Sequence, residues 1–287
     1  MQLGIGLPNT LEGADGDLVM DWARAADDGP FTSLGVFDRL VYPGFEPMGT
    51  LAACAGATDS IQLATSIVAG PLRNHAPLAK QAATIDALSG GRFTLGLALG
   101  AREDDYEAAG VDYRGRGRRF NEQLDALRDY WEGDEMGPES VSDGGPQLLV
   151  GGQSDPAFKR VARYADGYIH GGGPPRAYAK QAQQAKSAWS ETGRPGDPAL
   201  WGHGYFALGD DEVAEAGKEY LLDYYAFTGP FAERIAEGLL TTPQEVVQFV
   251  RGYEDQGCDE LLLFPTVPEF EQYERLAEVV GDEWAGD

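Results

Sequence analysis

Cysteine is nearly absent from this 287-residue chain, with only Cys54 and Cys258, each among small or apolar neighbours. That excludes a disulfide framework, and buried reduced thiols are the expectation. Histidine numbers three, at positions 75, 170 and 203, and no two are spaced as metal ligands, so no metal is expected. No apolar run is long enough to span a bilayer, and "MQLGIGLPNT" enters a strand without a basic leader, so a cytoplasmic protein is expected. Lysine is confined to positions 80, 159, 180, 186 and 218, and 22 basic residues face 47 acidic ones, a formal net charge of -25. Such a field repels nucleic acid and anionic membranes and leaves a small-molecule substrate as the expected partner. The acidic residues are spread along the chain, which suits a surface screened by concentrated salt. A halophilic source is therefore expected, with an ordinary acidic enzyme as the alternative.

What is present is alternation. Short β-rich runs at Leu3–Leu7, 33–38, 61–70, Phe93–Leu99, 146–152, 166–173, 203–209 and 259–265 are separated by helical patterns. Leu18, Trp22 and Ala26 mark one helix, Phe120, Leu124, Leu127 and Trp131 another, and Thr242-Pro243-Gln244-Glu245 is a capping box for a third. Eight strand–helix repeats over residues 1–287 predict α/β architecture, a single (β/α)8 TIM barrel, with loop insertions at about 101–119 and 210–240. An open doubly wound sheet is the runner-up, but no switch point can be located for it.

Three stretches carry a resemblance. "AKQAATIDALSGGRFTLGLALG" (79–100), "YRGRGRRFNEQLDALRDYW" (113–131) and "LLVGGQSDPAFKRVARYADGYIHGGG" (148–173) closely resemble the luciferase-like flavin and coenzyme F420 oxidoreductases. The resemblance implies a luciferase-like barrel, a homodimer or homotetramer, and noncovalent F420 or FMN. The reaction it points to is methylenetetrahydromethanopterin reductase-like: hydride moves between F420 and an organic substrate. An FMN-dependent monooxygenase is the alternative, and a cofactor-free binding homologue the second.

In a barrel, sites gather at the C-terminal strand ends. Gly151, Gly152, Gln153 and Ser154 follow the fifth strand and lead into a helix, so their N–H groups can cradle an anion at its positive terminus, although the glycines alone could equally be a turn. By resemblance these residues and Gly171, Gly172 and Gly173 hold the cofactor's phosphate-bearing tail, with His170 beside them. The resemblance also implies a non-proline cis peptide at Ser66–Ile67 behind the ring. Asp38 is the first catalytic candidate; relatives often read Asp-His there, whereas this chain reads Asp38-Arg39. Arg39 could hold an anionic substrate group in bidentate fashion, or the pair could only tie down its loop. Glu103, beside Asp104 and Asp105, is a second candidate as proton donor if enclosed, against a merely solvated cluster. His203, read as lying near the start of its strand, is expected to be structural.

Overall fold

The buried strands of this chain have no polar face. Phe93–Ala98 (β5) and Glu260–Pro265 (β9) are buried at every position, as in parallel strands covered on one side by helices and on the other by a packed lumen. The computed structural model describes residues 1–133 and 136–284. The remaining strands are Gln2–Gly6 (β1), Ser33–Val36 (β2), Gln62–Thr65 (β3), Val68–Ala69 (β4), Gln147–Gly151 (β6), Gly167–Ile169 (β7) and Ala199–Phe206 (β8). All pair in parallel, in the order β3-β2-β1-β9-β8-β7-β6-β5-β4, and a β3–β5 pairing closes the ring. Because β3 and β4 are two halves of one interrupted strand, the ring is a closed eight-strand barrel.

The peptide between Ser66 and Ile67 is cis, and the Thr65 hydroxyl replaces the missing ladder by donating to the Gly96 carbonyl and accepting the Gly96 N–H, both at 2.8 Å. Gly96 is required there: a Cβ would lie 2.1 Å from the Thr65 carbonyl oxygen.

Helices Gly16–Asp28 (α1), Pro47–Ala57 (α2), His75–Ser89 (α3), Glu103–Ala108 (α4), Arg116–Glu132 (α5), Asp155–Tyr164 (α6), Pro175–Glu191 (α7), Asp211–Tyr224 (α8), Phe231–Ala236 (α9), Pro243–Glu254 (α10) and Phe270–Trp284 (α11) surround the barrel. The capping box at Thr242 and Glu245 opens α10 as its sequence predicts. Arg92, in the turn feeding β5, donates to the carbonyls of Ser89, Ile61 and Thr58, tying the lower end of the barrel to the end of α2. No helix among the described residues is long and apolar enough to cross a membrane.

Two expectations change. Residues 101–119 are not one loop, since α4 and the first turn of α5 lie within them. The strand expected at 203–209 runs from Ala199 to Phe206, which puts His203 in its middle.

Candidate functional site

Strand period decides which side chains meet in the lumen. On β8, Gly202 and Gly204 face outward, where a Cβ would fall 2.5 Å from the Tyr253 ring and 2.6 Å from the Phe249 ring of α10. Trp201, His203 and Tyr205 therefore point inward. Phe37, following β2, stacks on Phe264 of β9 with ring centroids 3.8 Å apart, and His203 stands edge-on to both. The Ser66 hydroxyl lies 3.2 Å from His203 Nδ1, and the Tyr205 hydroxyl lies at a long 3.5 Å from Nε2. Tyr205 is in turn hydrogen-bonded to the hydroxyl of Tyr225. The end of α8 closes over this wall with Tyr220, Tyr224 and Tyr225, and Tyr220 bonds Thr10 at 2.7 Å.

Burial governs the ionisation of this cluster. It lowers His203 to about 3 and raises the Tyr205 hydroxyl well above its ordinary value. Both groups are neutral near pH 7 and can exchange hydrogen bonds without carrying charge.

His170 does not join them. Ile169 takes the inward direction on β7, so His170 turns into the layer between the barrel and helices α7 and α10. It is fully buried, with Nδ1 3.3 Å from the Tyr253 hydroxyl. That hydroxyl donates to the Gly173 carbonyl at 2.9 Å, so its oxygen accepts from a protonated Nδ1, and Nε2 is left as a bare acceptor with no partner. Burial lowers His170 to about 4. Its link to the rim is indirect, through Tyr253 and Gly173.

Of the glycine exits, Gly172 is the one placed against the lumen. Gly152, Gly172 and Gly173 have φ of 134°, 83° and 115°. At Gly172 a Cβ would come within 3.0 Å of the His203 ring, so the backbone after β7 lies directly on that imidazole. Gly171 has open space where a Cβ would be. Gln153 and Ser154 are exposed, and Ser154 caps α6 without using its side chain. Ser66 is buried and Ile67 half-buried against the lumen residues.

The charged candidates are engaged elsewhere. Asp38 is not paired with Arg39. Its two oxygens receive Arg73 in a two-pronged contact at 2.6 and 2.9 Å, and the Ala69 N–H at 2.9 Å. With its side chain only 2 % exposed, this carboxylate holds β4 and the following turn in place instead of facing a reactant as a free acid or base. Arg39 bonds Asp104 at 3.2 Å, stands 3.6 Å from Asp105 and lies over the Tyr42 ring. Glu103 is exposed at the start of α4, a position that gives no enclosure to a proton donor; the enclosed member of its cluster is Asp105, which accepts the N–H groups of Leu40 and Val41. Among the described residues no group of histidine, cysteine and carboxylate side chains could hold a metal ion.

Sequence reasoning missed His203, Tyr205, Tyr225 and Arg73. The alternation Trp201-Gly202-His203-Gly204-Tyr205 was the available signal for the first two, because glycines facing helices force the large residues inward.

A model of the luciferase-like monooxygenase family matches residues 1–245. The chain belongs to that family. This luciferase-like protein is 34 % identical over 172 residues to the pyrimidine monooxygenase RutA of Escherichia coli, over 52 % of this chain and 46 % of the relative. Its barrel superposes on the monooxygenase RslO1 from Streptomyces bottropensis with a TM-score of 0.83 at 19 % identity, covering 99 % of both chains. It also superposes on an F420-dependent secondary alcohol dehydrogenase in complex with an F420-acetone adduct, with a TM-score of 0.80 at 15 % identity, covering 98 % of this chain and 97 % of that one. At such identities these two likenesses establish the luciferase-like barrel itself. The family is one of oxidoreductases and monooxygenases, and this member is an enzyme of that kind.

Proposed function

We propose that this luciferase-like enzyme is an F420-dependent oxidoreductase that moves a hydride between the deazaflavin and an organic substrate at the C-terminal mouth of the barrel. The observation that carries this reading is the contact of Ser66 with His203 and of His203 with Gly172, which brings the interrupted third strand and the glycine exit of β7 to one imidazole. A planar ring needs a flat backing and a phosphate-bearing tail needs exposed N–H groups, and in this reading the interrupted strand would serve the first and the glycine exits the second. Supporting it are the resemblance of the third-strand segment to that of F420-binding relatives and the F420-dependent secondary alcohol dehydrogenase among the structures on which this barrel superposes.

The residues fit such a group. Ser66 and Ile67 would back the ring, while Gly151, Gly152, Gln153 and Ser154 with Gly171, Gly172 and Gly173 would take the tail; the unoccupied Cβ position at Gly171 leaves room for close approach. When bound, the deazaflavin supplies a carbon that gives or takes a hydride. The protein's part is to orient and to exclude water: the aromatic mouth surrounds the reactants, and alignment at contact distance supplies much of the acceleration. His203 and Tyr205, neutral and buried, can hold a substrate proton by hydrogen bonding.

An FMN-dependent monooxygenase is the second reading, favoured by the similarity to RutA and to RslO1. Equilibrium titration with F420 and with FMN separates the two. Tight F420 and weak FMN binding supports the first reading, the reverse supports the second, and failure to bind either overturns both. Gly171→Asp sharpens the assay, because a carboxylate in that open position would repel a phosphate. Cofactor affinity should fall at least tenfold with the melting temperature unchanged; undiminished affinity would remove this rim from the site.

A further inference from the structure

We propose that the mouth selects a flat, uncharged compound bearing a ketone or phenol oxygen, held there by the paired hydroxyls of Tyr205 and Tyr225. The inference rests on the oxidoreductase reading for its reaction, although not for its binding.

The first observation concerns the cations around the mouth. Arg39 is matched by Asp104 and Asp105, and Arg73 by Asp38 and Glu46. Arg102 has its guanidinium 4.4 Å from both the Tyr224 and the Phe227 rings and gives an N–H to the Tyr224 carbonyl at 3.1 Å. Arg39 and Arg73 are thus committed to carboxylates; Arg102 has no carboxylate partner, but its Nη2 is given to a carbonyl and its unpartnered Nε is buried, so none of the three stands ready as a two-pronged clamp for a carboxylate or phosphate. The net charge of -25 opposes an anionic substrate further.

The second concerns donors. Tyr205 and Tyr225 share one hydrogen bond, which uses one of their two protons. The other proton is poorly served in either arrangement: on Tyr205 it meets only the long 3.5 Å contact to His203 Nε2, and on Tyr225 it has no second partner among the described residues. A substrate oxygen is a better acceptor, and Arg102 close by favours negative charge developing on it: burial raises the Tyr225 hydroxyl, and this guanidinium works against the rise. Around the hydroxyl pair the surfaces are rings, those of Phe37, Tyr224 and Phe227. Leu40 and Val41, which follow β2, and Phe231, which opens α9, are exposed.

Calorimetric titration of the full chain with 2-naphthol and with 2-naphthoate, each with and without F420 or FMN, tests the proposal. The same rings then carry either a hydroxyl or a carboxylate. Naphthol should bind at least tenfold more tightly than naphthoate, and Tyr205→Phe and Tyr225→Phe should each weaken it by roughly three- to tenfold, the weight of one net hydrogen bond. Tyr113→Phe, whose hydroxyl reaches the Ala101 carbonyl, serves as control and should change nothing. Naphthoate binding as tightly as naphthol, naphthol affinity indifferent to both substitutions, or no binding of either probe overturns the proposal. The charge comparison uses the unaltered protein, so it stands even if a variant folds poorly. Cofactor binding without naphthol binding sinks this inference alone, whereas naphthol binding without either cofactor sinks the oxidoreductase reading alone.

Discussion

The two sides of the barrel mouth treat polarity in opposite ways. On the β2–β5 side, ionised groups answer one another: Asp38 with Arg73, and Arg39 with Asp104 and Asp105. On the β7–β8 side the polar groups are neutral, buried and incompletely partnered: His203, Tyr205, Tyr225 and, one layer out, His170 with its bare Nε2. A charge placed near a barrel rim is costly unless matched, so it is matched, and the pair becomes a staple. Neutral groups can remain half-satisfied at lower cost, and those are where a ligand has something to add.

The sharpest way to break this contrast is to unmatch a charge. Asp38→Asn would leave the guanidinium of Arg73, 18 % exposed, without its main partner, and should cost about 3 to 5 kcal/mol in urea unfolding. A loss of turnover with no loss of stability would instead make Asp38 part of the chemistry. On the other side, Gly172→Ala puts a Cβ at φ 83° and 3.0 Å from the His203 ring, and should cost about 1 to 2 kcal/mol while reducing cofactor affinity. Normal stability and affinity would separate the β7 exit from His203.

Acid should distinguish the sides next. His203, held to about 3, and His170, held to about 4, by burial, are lowered from 6.5, so the fold favours their neutral forms. Their contribution is complete above about pH 6.5 and is lost as pH falls toward those lowered values. Urea midpoints measured from pH 7 to pH 4.5 should decline, and less steeply in a His170→Gln, His203→Gln double variant; an identical decline would mean that other groups set it. The smallest effect is expected at Glu103→Gln, within about 0.5 kcal/mol and without loss of activity, as for an exposed side chain. A large loss of turnover would return it to the site.

Much of the architecture was legible because it is periodic. Apolar runs such as Phe93–Ala98 alternate with amphipathic helices, and that repetition predicts a ring of parallel strands. Glycine positions were legible too: Gly152, Gly172 and Gly173 adopt positive φ at strand exits, as punctuation of that kind suggests. The histidines were not. His170 looked placed for the site and His203 did not, since the start of β8 was set four residues late and β7 is only three residues long. Over so few residues a single step in register reverses which face a side chain takes.

By itself, then, the sequence determined the succession of strands and helices, the glycines at the upper rim and the weight of negative charge, all properties that neighbouring residues settle among themselves. Tertiary structure alone decided who faces whom. Arg73 reaches Asp38 across 35 positions, and Tyr225 meets Tyr205 across 20, by way of a helix that folds back over the barrel. The direction of His203 likewise depends on α10 packing against Gly202 and Gly204: the alternation along β8 separates two faces, but which of them meets a helix is decided by an element that begins some forty residues later.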